Sequence, residues 1–369
     1  MTANPEISRK SPISYYPALD GLRGVAILLV VLHHNFDFIP YLSYGWIGVD
    51  LFFVLSGFLI TEILLGTREQ KGFLKNFYVR RALRILPLYY LIVILFFLIV
   101  PFCAKLAPQW SYYSAHPVFV WTNTQNWLYI VHKMSASYLL LNHFWSLSLE
   151  EQFYLFWPVL ILLMKSKKLL IGFLFVLLLA GIALRFWAWR TGGTEYWVFQ
   201  LQEKTRIDGL ALGCILALWR SGNFRRFTKN VVGFFIVILI VHLSVFAFTR
   251  IYQQSTPHFS FLGYTTIAAC FSLLLLFALD SKSRLKTLLL ENRWMIWIGK
   301  ISYGLYVYHW IILALARLYF TNLLLQKGLS YNSVYITLSV SALPPAIAVS
   351  WISYEFFEKK ILALKTRFY

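Results

Sequence analysis

The sequence predicts an all-α, polytopic membrane protein of about ten transmembrane helices, with its N- and C-termini in the cytoplasm. Three observations predict it. Of 369 residues, 59% are hydrophobic and only 13% charged, about half the charged share of a soluble domain. Mean hydropathy is +0.64. Most of the 34 Lys and Arg fall between hydrophobic runs long enough to cross a bilayer rather than inside them.

The runs, taken in order, are 19–36, 45–65, 85–104, 144–164, 169–189, 206–219, 231–249, 261–279, 296–320 and 333–355. The first carries Asp20, Arg23, His33 and His34, and the second Asp50. Arg81 and Arg84 stand just before the third, with Pro87 inside it. The aromatic-rich connection from Lys105 to Asn142 is expected to hold an interfacial or re-entrant segment. Glu150 and Glu151 lie in the fourth run, whereas the fifth is nearly all apolar. Arg206 and Asp208 open the sixth, the shortest run, which is expected to tilt little or to thin the bilayer locally. The ninth carries Ser302, Tyr306 and His309 on one helical face.

Placing the N-terminus inside puts Arg9, the Arg68–Arg84 cluster, Lys165–Lys168, the Arg220–Lys229 cluster, the Lys282–Lys300 cluster and Lys359–Arg367 in the cytoplasm. Every inner segment is then basic, which supports ten spans. Topology explains the net charge of +19 without a nucleic-acid partner. Cys103, Cys214 and Cys270 have neither disulfide nor metal spacing, and no metal site is expected. The first run has no small-residue cleavage site after it, so no cleavable signal is expected. Residues 1–15 and 356–369 read as cytoplasmic tails around one membrane domain, 16–355.

Ionisable residues at lipid depth are costly, and the usual reason for keeping them is function. Arg23 and His34 are eleven residues apart, three helical turns plus about 20°, so they share a face roughly 16 Å apart along the axis. The topology places Arg23 toward the cytoplasm and His34 toward the outside. A histidine beside carboxylates at a common depth (Asp50, Glu150) reads as acid–base equipment, or as a polar network that holds helices together. His33 has Asp37 one turn on as a surface partner. Arg81 and Arg84, one turn apart, suit bidentate capture of phosphates or anchoring on anionic lipid. Gly21/Gly24 and Gly45/Gly48 read as close helix-packing positions.

Seven segments occur in one order: Pro17–Gly24, an Arg-x10-His spacing that selects His34 over His33, Gly48–Phe58, Arg81-x-x-Arg84 after Phe77-Tyr78, Trp145–Tyr154, Arg206–Leu210 and Ile301–His309. With these segments the chain resembles the bacterial acyltransferase 3 family of integral membrane acyltransferases, over about Tyr16 to Tyr354. The resemblance implies transfer of an acyl group, commonly acetyl, from cytoplasmic acyl-CoA to a hydroxyl of an extracytoplasmic glycan or glycolipid. It also implies residence in the bacterial inner membrane, and it marks Arg23, His34, Arg81 and Arg84 as the functional positions. On this reading Arg81 and Arg84 hold CoA phosphates, and Arg23 contacts the donor or pairs with Asp20. His34 activates the acceptor or carries the acyl group, and Asp50 or Glu150 orients its ring. Ser302, Tyr306 and His309 are expected to contact the acceptor or the path. Some members carry an extra extracytoplasmic hydrolase-like domain, which this chain is expected to lack, leaving room for a separate partner protein. A transporter or flippase of a lipid-linked or acylated molecule fits the composition equally well. It is disfavoured because no paired repeat is visible.

Overall fold

A computed structural model describes residues 15–132, 139–191, 201, 203–220, 237, 240, 262–280 and 283–367. Among them no strand occurs, and the architecture is all-helical. The principal helices are α1 (Pro17–Phe36), α2 (Ile47–Thr67), α3 (Phe73–Ile99), the short α4 (Ala107–Ala115), α5 (Pro117–Trp121) and α6 (Gln125–Val131), then α7 (Phe144–Leu163) and α8 (Lys167–Arg190). After these come α9 (Asp208–Arg220), α10 (Tyr264–Asp280), α11 (Arg284–Leu290), α12 (Arg293–Gln326), α13 (Tyr331–Ser341), α14 (Leu343–Ser353) and α15 (Lys359–Ala363).

Among the described residues six helical segments are long and apolar enough to cross a membrane: Pro17–Phe36, Leu42–Thr67, Phe73–Phe102, Lys167–Arg190, Arg293–Gln326 and Tyr331–Arg367. A seventh is added if Tyr264–Leu279 and Arg284–Leu290, bent by 110°, form one span. The expected ten are thus not confirmed among the described residues, where about six candidates stand by length and composition, for identifiable reasons. α7 has the length, 20 residues, but Glu150, Glu151 and Gln152 lower its apolarity. α9 has only 13 residues, too few to cross about 30 Å of hydrocarbon. The run 231–249 lies outside the described residues. The connection after α3 folds into three short helices, stitched by the Tyr113–Tyr129 hydroxyl pair at 2.9 Å and by Tyr89 Oη donating to Val120 O.

α1 is the hub, packed against α2, α12 and the 3-10 turn Leu42–Trp46. Glycine sets its approach to α11 and α12. A Cβ on Gly21 would stand 1.8 Å from Leu290 O, and one on Gly299 1.8 Å from Asp20 O. Buried charges lock the opposite side. Arg185 of α8 forms two hydrogen bonds to Asp208 of α9, at 2.8 and 3.0 Å, with both side chains out of solvent. Such a pair tolerates loss of neither partner, because the remaining charge would stay buried.

The α1–α12 seam yields a prediction. Gly299→Val forces a side chain into the α1 backbone and should destabilise the fold by ~1–3 kcal/mol or more. Gly172→Val, where a Cβ meets nothing within 4 Å, should leave it unchanged. Thermal unfolding of the two purified variants in one detergent checks the contrast.

Candidate active site

α1, α2, α3, α7, α12 and the C-terminal segment enclose an open cavity of about 250 Å³. Helical phase brings Arg81 and Arg84 of α3 to its wall together, as their spacing predicts, and Arg80 joins them. Arg23 reaches the cavity from α1, and Lys365 from beyond α15. The Arg81 guanidinium also lies over the Tyr154 ring, 4.4 Å from its centroid. Asp20 accepts from Tyr15 Oη at 2.9 Å and makes no ion pair with Arg23 among the described residues. Arg23 thus faces the cavity rather than a neighbouring carboxylate.

Apolar side chains of α2, among them Phe52, Phe53, Leu55 and Leu59, line the cavity beside these cations. Ser146, Ser302, Tyr303 and Tyr306 add hydroxyls to the same wall. Ser302 Oγ is buried with no hydrogen-bond partner among the described residues. A buried hydroxyl left unbonded costs on the order of 1–3 kcal/mol, so a partner from a bound molecule fits there. Cations, apolar side chains and one unpartnered hydroxyl thus share the cavity.

Beyond Ser146 and Tyr306 stands a histidine cluster. The two hydroxyls bond each other, and Tyr306 Oη donates to His143 O at 2.9 Å. His143, buried, donates Nε2–H to Val307 O at 3.1 Å, and its ring centroid lies 5.6 Å from that of His309. His309 and His34 meet directly, His309 Nε2 to His34 Nδ1 at 2.9 Å.

Tautomers follow from one carbonyl. His309 Nδ1 lies 2.9 Å from Leu305 O, which can only accept, so Nδ1 carries the proton. In a neutral ring Nε2 then holds the lone pair and accepts from His34 Nδ1–H. His34 is left with its lone pair on Nε2, the nitrogen a base or nucleophile uses. Trp310 packs on the His34 ring at a centroid distance of 5.0 Å, and its own Nε1 donates to Leu139 O. Arg317 Nη2 reaches the carbonyls of His34 and Asn35 at 3.5 and 3.4 Å and caps the end of α1.

The expected orienting carboxylates are corrected. Asp50 faces Arg206 at 3.4 Å, both buried, amid the rings of Trp46, Trp145 and Tyr264. Glu150 sits in the cavity wall, accepting from Ser56 Oγ at 2.9 Å and Tyr154 Oη at 3.2 Å. Neither bonds His34 among the described residues, and His309 takes the orienting place. Asp37 pairs with Arg317 at 3.9 Å rather than with His33. Sequence reasoning missed His143 and Arg317. His143 stands two residues before the Trp145–Tyr154 segment, a usable signal; Arg317 had none.

A family model described as an acyltransferase domain matches residues 16–355. The chain belongs to the acyltransferase 3 family. Among its relatives, the peptidoglycan O-acetyltransferase OatA of Listeria monocytogenes is 32% identical over 324 residues, covering 82% of this chain and 50% of that protein. The Bacillus subtilis protein YrhL, provisionally named a peptidoglycan O-acetyltransferase, is 31% identical over 94% of this chain and 55% of its own length. A Staphylococcus aureus (strain COL) protein, provisionally named an O-acetyltransferase, is 26% identical over 100% of this chain and 61% of its own length. The chain thus spans about half to three-fifths of these relatives. No solved structure matches it.

Within this acyltransferase 3 chain the His34–His309 bond carries a prediction. His309→Ala removes the acceptor that fixes the His34 tautomer, and acyl transfer should fall ~10²–10⁴-fold. His309→Gln, whose carbonyl can still accept, should fall less. Turnover at matched protein level in membranes measures both.

Proposed function

We propose that this chain is a multi-pass O-acyltransferase of the bacterial cytoplasmic membrane. It moves an acetyl group from acetyl-CoA to a hydroxyl of an extracytoplasmic glycan, of the class that the named peptidoglycan relative modifies. The observation that carries the proposal is the fixed tautomer of His34, which connects through His309 and the neighbouring Tyr306 ring to a cation-lined cavity.

The basic inner segments orient Arg80, Arg81 and Arg84 toward the cytoplasm, where acyl-CoA is found. In this reading the CoA phosphates rest on Arg81, Arg84 and Arg23. The pantetheine arm follows the apolar wall past Ser302, toward Ser146 and Tyr306. From there the thioester has to pass Tyr306 and His309 to reach His34, which stands beyond the cavity wall. Nε2 takes the proton of the acceptor hydroxyl as its oxygen attacks the thioester carbonyl. The C–S bond breaks, and the imidazolium returns the proton to the departing thiolate, which leaves as free CoA. The His34 ring needs no carboxylate for this, because His309 holds Nδ1–H throughout.

Two variants separate the ends of the route. His34→Ala should abolish acceptor acetylation, ~10³-fold or more, while acetyl-CoA affinity stays near wild type. Arg84→Ala should do the reverse, raising the acetyl-CoA KM about tenfold or more through loss of a charge-assisted phosphate contact. Proteoliposomes given acetyl-labelled CoA decide the reaction class. Covalent label on the glycan supports the enzyme, whereas label that moves without attachment would show a carrier and overturn the proposal.

A further inference from the structure

One cation of the inner cavity comes from a stretch that reads, by sequence, as a solvated tail. After α14 the chain makes a π-helical turn, Tyr354–Glu358, then α15 and a 3-10 turn, Leu364–Arg367. These elements pack against α3. Glu358 is the anchor. It is 8% exposed, accepts from Ser353 Oγ at 3.2 Å, and lies where a Cβ on Gly304 would meet its Oε1 at 3.0 Å.

Lys365 is half-buried and lines the cavity with Arg23, Arg80, Arg81 and Arg84. It makes no hydrogen bond or ion pair with any described residue. Neighbouring Lys359 behaves differently, pointing to solvent and bonding Glu355 at 2.8 Å. Five cationic side chains therefore share one cavity with a single lining carboxylate, Glu150, already engaged by Ser56 and Tyr154. Like charges so placed repel, and a multiply charged anion relieves them. One carboxylate or one lipid phosphodiester brings a single charge. The nucleotide end of an acyl-CoA brings a diphosphate and a 3′-phosphate together.

We propose that Lys365 is a ligand of the phosphate-bearing end of the acyl donor, and that the C-terminal segment is part of the donor site. This rests on the reading of the cavity as that site. The shared chemistry is phosphate, so an anionic lipid headgroup is the competing source.

The test uses the full chain in nanodiscs of phosphatidylcholine alone, with CoA and pantetheine as probes. Lys365→Ala should weaken CoA binding about tenfold, with pantetheine binding unchanged. Lys365→Arg should restore most of the CoA affinity, and Lys359→Ala should have no effect. A melting temperature equal to wild type shows that Lys365→Ala is folded; if it is not, Lys365→Met, which keeps the aliphatic stem, takes its place. CoA affinity unchanged in the Lys365 variant but lost in Arg84→Ala overturns the inference and leaves the donor site standing. A CoA effect seen only when phosphatidylglycerol is added assigns Lys365 to lipid and overturns it too. Absence of CoA binding by the wild-type chain overturns the donor reading itself, and the inference with it.

Discussion

Water is scarce inside a membrane bundle, so a polar group there is either satisfied by the protein or waits for something else. That constraint sorts the charged residues of this chain into two sets. Arg185 with Asp208 is closed on itself, and Arg206 faces Asp50 at ion-pair distance inside an aromatic cage, without a hydrogen bond between them among the described residues. They tie α8, α9 and α2 together and leave no charge to offer. Arg23, Arg84 and Lys365 form no ion pair with any described residue, and all three face one cavity. Pairing marks the structural set, and its lack marks the set proposed as the donor site.

The same reasoning runs through the hydroxyls and imidazoles. Ser146 and Tyr306 border the cavity and also brace His143, whose ring neighbours His309. The cavity wall and the histidine pair are thus in contact, joined by ring packing of His143 and Tyr306 on His309. The tautomer of His34 is set through His309 by Leu305 O, one turn back on α12. A backbone carbonyl cannot titrate or rotate away, so it is a firmer reference than a carboxylate. No group in this arrangement has to carry a buried negative charge to hold the His34 ring in place.

Much of this was legible along the chain. Arg23 and His34 lie on one helix, and helical pitch alone sets their shared face and separation. Arg81 and Arg84 are one turn apart on α3 for the same reason, and Ser302, Tyr306 and His309 repeat it on α12. The span count was less legible, because hydropathy cannot tell a helix that crosses lipid from one buried among other helices. α7 carries two glutamates and α9 has 13 residues, so neither meets the length and apolarity of a spanning helix.

By itself the sequence determined the all-helical class, the family, and the side chains that share a face within each helix, because those depend on composition, motif order and local periodicity. Only the tertiary structure decided the partners. His309 is 275 residues from His34, Arg206 was an outer charge without an assigned mate, and Lys365 stood in a tail. Periodicity fixes a residue's face and depth but not which helix that face meets. That choice is made by close packing at positions such as Gly21 and Gly299, and by the pairing that a low-dielectric interior enforces.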